Sequence, residues 1–246
     1  NIGSAYGSAY IKLTYSALLT LVIVGAAYRA SYKIKQRHLK FNVKEIKTET
    51  ADTFTLTLEP NSKLTFKPGQ FCFLRLKKEA LYARHPFTIS SSPDEETISF
   101  TIKQTGKFTK AVSELKENDE VIVEGPFGIF TIKDSKRDLI FLAGGVGITP
   151  FMSMIRNQLK SKHEQNISLI YFARTKDDII FKDEIDNIKE KWFKKTYVLS
   201  QESSQHNAGR EQIIKEVVEK HLKDTNAIYY ICGPETMKNS LKKMRK

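Results

Sequence analysis

Leu142-Ala143-Gly144-Gly145-Val146-Gly147-Ile148-Thr149-Pro150 runs a buried-type apolar strand into glycines and then into a helix start. Glycines let the backbone approach a pyrophosphate closely, and a helix N-terminus offers unpaired N–H groups at the positive end of its dipole. Pro150 suits the first helical turn. The spacing differs from the GxGxxG of the common dinucleotide fingerprint, so a tight strand-to-helix turn with no ligand is the competing reading. Outward from this stretch the rhythm is strand, helix, strand, helix. Leu139–Ala143, Ile167–Phe172, Lys195–Ser200 and Ala227–Ile231 read as strands. Thr149–Lys160, Lys182–Trp192, Arg210–Leu222 and a last segment read as helices. That alternation predicts a parallel sheet covered on both faces.

Upstream, the period shortens to two. Phe41–Lys47, Thr53–Pro60, Phe71–Leu76, Phe87–Ser92, Thr97–Lys103 and Glu120–Gly125 alternate or carry β-branched runs, with Pro, Gly, Asn and Asp between them. Six short strands at this spacing predict a small antiparallel barrel, interrupted by one helical piece at Phe108–Lys116. The expected layout is therefore a β domain at 41–134 followed by an α/β domain at 135–246, with residues 1–40 as a separate N-terminal segment.

That segment holds an uncharged run, Leu13–Tyr28, followed by Arg29, Lys33, Lys35, Arg37 and Lys40. A membrane crossing needs about 20 apolar residues; extension to Ile11 takes in Lys12, which can snorkel. Basic residues beside an apolar stretch mark a cytoplasmic flank. In a secretory signal the charge would precede the apolar core, and here it follows. The reading is a transmembrane helix that holds the remaining chain in the cytoplasm, against a core helix of a soluble protein.

The formal charge is +12, from 40 Lys and Arg against 28 Asp and Glu. Nucleic-acid binding would want these clustered with aromatics or a reader motif. They are spread along the chain, so phosphate-bearing cofactors and an anionic membrane surface account for them better. Cys72 and Cys232 are far apart with no CxxC, so no metal site is expected.

Three further stretches carry chemistry. Ile231–Met237, ICGPETM, again ends a strand and starts a helix, so it would share a cleft with the glycine loop. Arg84–Ser91, RHPFTISS, offers an aromatic face at Phe87, a hydroxyl at Thr88 and positive charge at Arg84 and His85. Gly106–Val112, GKFTKAV, has a glycine, Lys107, a hydroxyl at Thr109 and a helix start, which can form a phosphate nest. Each has an ordinary structural alternative: a buried structural cysteine at Cys232, a strand and a capped surface helix.

Their order decides between these readings. HPFT in the barrel, GxxT about twenty residues later, EGPFG at Glu124–Gly128, GGxGxTP and finally CGP resemble the ferredoxin–NADP reductase superfamily. The HPFT variant resembles its membrane-bound branch, the NADPH oxidases and ferric reductases. The resemblance covers residues 41–246. It implies an FAD-binding barrel, an NAD(P)H-binding sheet and an oxidoreductase that passes electrons from NADPH through FAD. The acceptor would be a membrane haem in helices upstream of Asn1, and then oxygen or ferric iron. The superfamily has Arg-x-Tyr-Ser where this chain has His85, Pro86, Phe87 and Thr88, so either His85 or Arg84 would meet the FAD phosphate. Phe87 would face the flavin and Thr88 would reach its N5 region. Gly106, Lys107 and Thr109 would cradle the pyrophosphate, and two phosphate elements in the barrel imply FAD rather than FMN. Gly144, Gly145, Gly147 and Thr149 would take the nicotinamide dinucleotide. Cys232, Gly233 and Pro234 would position its ring, with Thr88 and Cys232 the catalytic positions. Arg174 and Arg210 would suit a 2′-phosphate. The resemblance also implies a terminal aromatic strand after Lys246. The alternatives are a soluble NAD(P)H-dependent flavin or ferredoxin-type reductase and a nucleotide-sensing module without catalysis.

Overall fold

The computed structural model describes residues 2–35, 39–61, 64–77, 83–133, 136–161, 165–201 and 226–243. Two compact units divide the chain, Asn1–His38 and Leu39–Lys246.

The first unit is one helix, α1 (Ile2–Lys35). It is longer than the apolar run because nothing in the basic segment breaks it: the chain has no proline before Pro60. Its apolar window is Ala9–Arg29, 21 residues. At ~1.5 Å per residue this is about 31 Å, the thickness of a bilayer core.

In the second unit the first six strands form one antiparallel sheet. They are β1 (Leu39–Thr50), β2 (Thr53–Pro60), β3 (Phe71–Leu76), β4 (His85–Thr88), β5 (Ile98–Lys103) and β6 (Glu120–Phe127), in the order β4-β3-β6-β1-β2-β5. The edges meet: Ile89 bridges to Phe100, and Ser90 N–H donates to Ser99 O at 2.8 Å. The sheet therefore closes into the expected barrel. Alternation fills it from the inside with Phe41, Leu56, Leu58, Leu74, Ile89 and Phe100, all fully buried. Each such side chain contributes about 1.5–3 kcal/mol. Helix α2 (Lys107–Ser113) contributes Phe108 and Val112 to the same core.

The second sheet is parallel and has the order β10-β7-β8-β9, with β7 (Leu139–Gly144), β8 (Ile167–Ala173), β9 (Phe193–Leu199) and β10 (Ile228–Cys232). Both faces are buried, as a parallel sheet requires. Phe141, Leu169 and Tyr171 pack on one side with Phe151 and Ile155 of α3 (Thr149–Lys160). Ile140, Leu142, Ile170 and Phe172 pack on the other with Met237 of α5 (Glu235–Lys243). The chain winds from β7 to β8 and β9 on one side and returns as β10 on the other. The order reverses at β7 and β10, where open α/β sheets bind ligands.

Helix α4 (Lys182–Asn187) is shorter than the expected Lys182–Trp192. Lysines end it: Lys195 Nζ donates to Ile185 O at 2.8 Å and Lys189 Nζ to Asp186 O at 3.1 Å. With these carbonyls satisfied, the chain turns extended at Ile188. The expected helix at 210–222 lies outside the described residues.

Barrel and sheet are stitched together. Phe130, in the connection, packs against Phe151 and Tyr230 with ring centroids 5.9 and 5.5 Å apart. Gly69 in the barrel has φ +93°, and a β-carbon there would lie 2.6 Å from Met154 Cε of α3 and closer still to the Phe130 carbonyl. Only glycine fits this backbone and this approach.

Candidate functional site

Two clusters emerge, one in each half. The first joins β4 to the start of α2. His85 and Phe87 are two apart and share a face of β4. His85 stacks on Phe108 at 4.0 Å, and Phe87 lies nearly parallel to the same ring at 6.0 Å. The HPFT strand and the Gly106–Thr109 loop thus form one surface. Phe87 and Thr88 are half-buried, and Pro86 and Gly106 are exposed. The Thr88 hydroxyl has no hydrogen-bond partner among the described residues, which leaves it free for a ligand. Gly106 has open space where a β-carbon would sit.

Thr109 differs from expectation. Its hydroxyl accepts the N–H groups of Thr105 (2.9 Å) and Gly106 (3.0 Å) and donates to Gly106 O (3.0 Å). One donor and two acceptor sites are all a hydroxyl has. Thr109 therefore shapes the loop, and Lys107 is exposed beside it. Thr149 behaves alike: its hydroxyl donates to Val146 O at 3.1 Å inside the glycine loop.

Arg84 also has a partner that its sequence context does not suggest. Its Nη1 lies 3.2 Å from Glu124 Oε1, and its guanidinium sits 4.7 Å above the Phe73 ring. Arg75 binds the other oxygen of Glu124 at 2.8 Å. Glu124 is 1% exposed. A buried carboxylate needs such partners. Arg84 remains half exposed, so one side of its guanidinium can still face an anion.

The second cluster lies at the carboxyl ends of β7 and β10. A β-carbon on Gly147 would sit 2.3 Å from Cys232 O and 2.8 Å from Gly233 N. On Gly144 it would sit 2.9 Å from Pro234 Cδ. The two expected motifs interlock through these glycines. Gly145 is in the left-handed region, φ +53°, with no neighbour within 4 Å. It opens the one-turn 3-10 helix Gly145–Ile148 on the free side of the loop. Tyr171, fully buried in β8, fixes the loop from beneath: its hydroxyl donates to Gly145 O at 3.0 Å and accepts Ile180 N–H at 3.2 Å. Burial raises the Cys232 thiol above its ordinary pKa, with Lys238 acting weakly against it. Its sulfur is therefore a neutral, apolar wall at pH 7.

Arg174 does not stand free. It holds Asp178 through Nε (3.1 Å) and Nη2 (2.6 Å), and Thr175 donates to the same carboxylate through its N–H and hydroxyl. A 3-10 turn, Lys176–Asp178, folds the acid back onto the arginine. The sequence places Arg174 as a group suited to a 2′-phosphate, and this turn gives it a carboxylate partner that spacing along the chain does not show. Arg210 lies outside the described residues. Among those residues no three His, Cys, Asp or Glu side chains gather as metal ligands.

Thr88 and Cys232 belong to different clusters. Ser90, Ser91 and Ser92, fully buried, follow Thr88 along the chain, and helix α3 follows the glycine loop. Ser153 and Arg156 of α3 grip the carbonyls of Ser91 and Ser90. Sequence reading missed these residues. The only signal was two polar positions on the apolar face of TPFMSMIRNQLK.

A family model described as an FAD-binding domain matches residues 38–131, and one described as an oxidoreductase NAD-binding domain matches 141–243. The 2-halobenzoate 1,2-dioxygenase electron transfer component of Burkholderia cepacia is 25% identical over 221 residues, 86% of this chain and 64% of that protein. The glycine betaine monooxygenase reductase subunit of Pseudomonas aeruginosa is 38% identical over 159 residues, 62% of this chain and 43% of that protein. The chain thus spans about two fifths to two thirds of the length of these curated relatives. A ferredoxin-NADP+ reductase from Plasmodium falciparum shares the fold, with TM-score 0.73 and 20% identity, over 85% of this chain and 89% of that one. One model thus falls on the barrel and the other on the parallel sheet, and the chain has the fold of that ferredoxin-NADP+ reductase.

Proposed function

We propose that this chain is an NAD(P)H-dependent flavin reductase module that hands electrons on to a separate acceptor. The observation that carries the reading is the interlock of the Gly144–Thr149 loop with Cys232–Pro234 at the strand reversal, beside a barrel whose HPFT strand and Gly106 loop form one surface. The residues fit a dinucleotide in each half: an open left-handed glycine at Gly145, an open Gly106, and cationic Arg84 and Lys107. A bound flavin supplies the redox chemistry, taking a hydride from reduced nicotinamide and releasing electrons singly. The chain's part is to orient. Phe87 offers a ring face, Thr88 a free hydroxyl, and Cys232 a neutral wall that limits where a nicotinamide can lie. The domain limits 41–134 and 135–246 belong to this proposal. So does FAD rather than FMN, which chromatography of heat-released flavin checks.

The acceptor in this reading is another protein. The names of the matched relatives, a dioxygenase electron transfer component and a monooxygenase reductase subunit, support that over a haem in helices upstream. One observation favours the second reading, a membrane-held reductase with an upstream haem domain. Every side chain of α1 from Ala9 to Arg29 is exposed, and its Thr14, Ser16 and Thr20 hydroxyls are satisfied within the helix. Thr14 donates to Ile11 O (2.8 Å), Ser16 to Leu13 O (2.9 Å) and Thr20 to Ser16 O (2.8 Å). That is how polar side chains are accommodated in lipid. The whole chain should partition into detergent, and a chain starting at Leu39 should stay in the aqueous phase. Partition of both into the aqueous phase would remove the membrane reading.

Nucleotide preference follows from Arg174. To meet a 2′-phosphate it must exchange Asp178 for it. Exposed pairs of this kind are weak, so the exchange is open to it. Asp178→Asn should therefore raise the kcat/KM ratio of NADPH to NADH about five-fold, and Arg174→Ala should lower it. Equal kcat/KM for the two nucleotides in the unaltered chain, unmoved by either change, would count against a role for Arg174.

A further inference from the structure

We propose that Arg156 is a positioning residue that sets the separation between the flavin-facing strand and the nucleotide-binding helix; this rests on the function proposed above. Its three partners lie at two places: Glu184 and Phe181 at α4 and its N-cap, and Ser90 just after β4. Nε donates to Glu184 Oε1 at 2.7 Å and Nη2 to Glu184 Oε2 at 2.6 Å, a bidentate grip on α4. Nη1 donates to the Ser90 carbonyl at 2.7 Å, in the barrel half. The guanidinium lies 4.8 Å from the centroid of the Phe181 ring, whose residue holds a left-handed φ of 61°. Glu184 and Phe181 thus fix the guanidinium plane on the nucleotide side, and only one edge addresses the barrel. A pair serving stability alone would be complete with Glu184.

What that edge holds is the continuation of β4. Ser90 follows Thr88 by two residues, so its carbonyl reports where the HPFT strand lies. Ser90 is pinned from the barrel side as well, N–H to Ser99 O at 2.8 Å and Oγ to Ser99 O at 3.1 Å. Ser153, one turn before Arg156 on the same face of α3, donates to Ser91 O at 2.7 Å. Two consecutive carbonyls of the flavin-side strand are therefore held by one helix. That helix begins at Thr149, the end of the glycine loop. Seven residues of helix, about 10 Å, separate Arg156 from Thr149. A rigid rod of that length carries a shift at Ser90 directly to Gly145–Thr149. Hydride transfer is sensitive to displacements of this kind, because a misplacement of ~1 Å can cost about a hundred-fold in rate. Lysine would not substitute: it cannot hold a carboxylate bidentately and a carbonyl at once.

The test uses the whole chain reconstituted with FAD. Arg156→Met should slow single-turnover flavin reduction by NADPH at least ten-fold, with FAD retained and NADP+ affinity within two-fold of the unaltered chain. Arg156→Lys should recover only part of the rate, and Glu184→Gln, which keeps the Ser90 bond, should cost less than three-fold. In the flavin-free protein, Arg156→Met should speed hydrogen exchange at the Ser90 amide while the β8 amides stay protected. Reduction of Arg156→Met at the original rate, or a parallel loss of rate, nucleotide affinity and FAD, overturns the proposal. Should Arg156→Met not fold, Ser153→Ala decides: about three-fold slower reduction at unchanged affinity supports the clamp, and an unchanged rate refutes it. No reduction in the unaltered chain would instead sink the function on which the proposal rests.

Discussion

Gly147→Val is expected to abolish nucleotide binding while leaving the barrel able to hold flavin. A β-carbon on Gly147 would lie 2.3 Å from Cys232 O, 2.6 Å from Cys232 C and 2.8 Å from Gly233 N. All three atoms are backbone, so no side chain can rotate away. The ends of β7 and β10 would have to part, and the shared surface of the two motifs would be lost. Overpacking of this kind costs about 1–3 kcal/mol in a core that can adjust; backbone pinned in a parallel ladder adjusts less. NADP+ affinity, measured by calorimetric titration, should fall at least a hundred-fold, and even Gly147→Ala should show most of the loss. Gly145→Ala is the contrast. Nothing lies within 4 Å of its β-carbon, and only its φ of +53° opposes the change. Left-handed strain of about 1–2 kcal/mol should leave a folded chain with weakened binding. If Gly147→Ala binds NADP+ as well as the unaltered chain does, the interlock is not what forms the site.

Glu124→Ala should be the most destabilising single change in the barrel. The carboxylate is 1% exposed and pairs with Arg75, whose side chain is 17% exposed, and with Arg84, at 50%. Removing one member of a buried ion pair costs about 3–5 kcal/mol, because the other charge stays desolvated. For a folded unit of this size that corresponds to a drop in melting temperature of roughly 10 °C. Arg84→Ala should cost far less stability, since Arg75 still serves Glu124 and Arg84 is half in solvent. Its effect should appear instead in FAD affinity if Arg84, rather than His85, meets the phosphate. Thermal melts of the two flavin-free variants separate these roles. Equal melting temperatures would mean that Glu124 is hydrated rather than buried.

The glycine loop and the two periodicities make the architecture legible in the sequence. Strands of period two and strands alternating with helices leave little choice of sheet type. What sequence did not show is contact between distant segments. Asp178 reaches back to Arg174 through a 3-10 turn, and Thr109 and Thr149 spend their hydroxyls on their own loops. The resemblance marked Arg174, Thr109 and Thr149 as ligand contacts. Arg156 and Ser153 read as two polar interruptions of a helix, because the barrel carbonyls they hold lie more than sixty positions away. Backbone acceptors carry no residue-type signature, so pairings of this sort are found only in three dimensions.

The assignment as a flavin reductase stands or falls on one spectrum. The whole chain, reconstituted with FAD and kept free of oxygen, should lose its flavin absorption on addition of stoichiometric NADPH, and regain it when oxygen is admitted. A chain that binds FAD and NADPH together, yet keeps its oxidised flavin spectrum throughout, would be a sensor of nucleotides and not an electron-transfer enzyme.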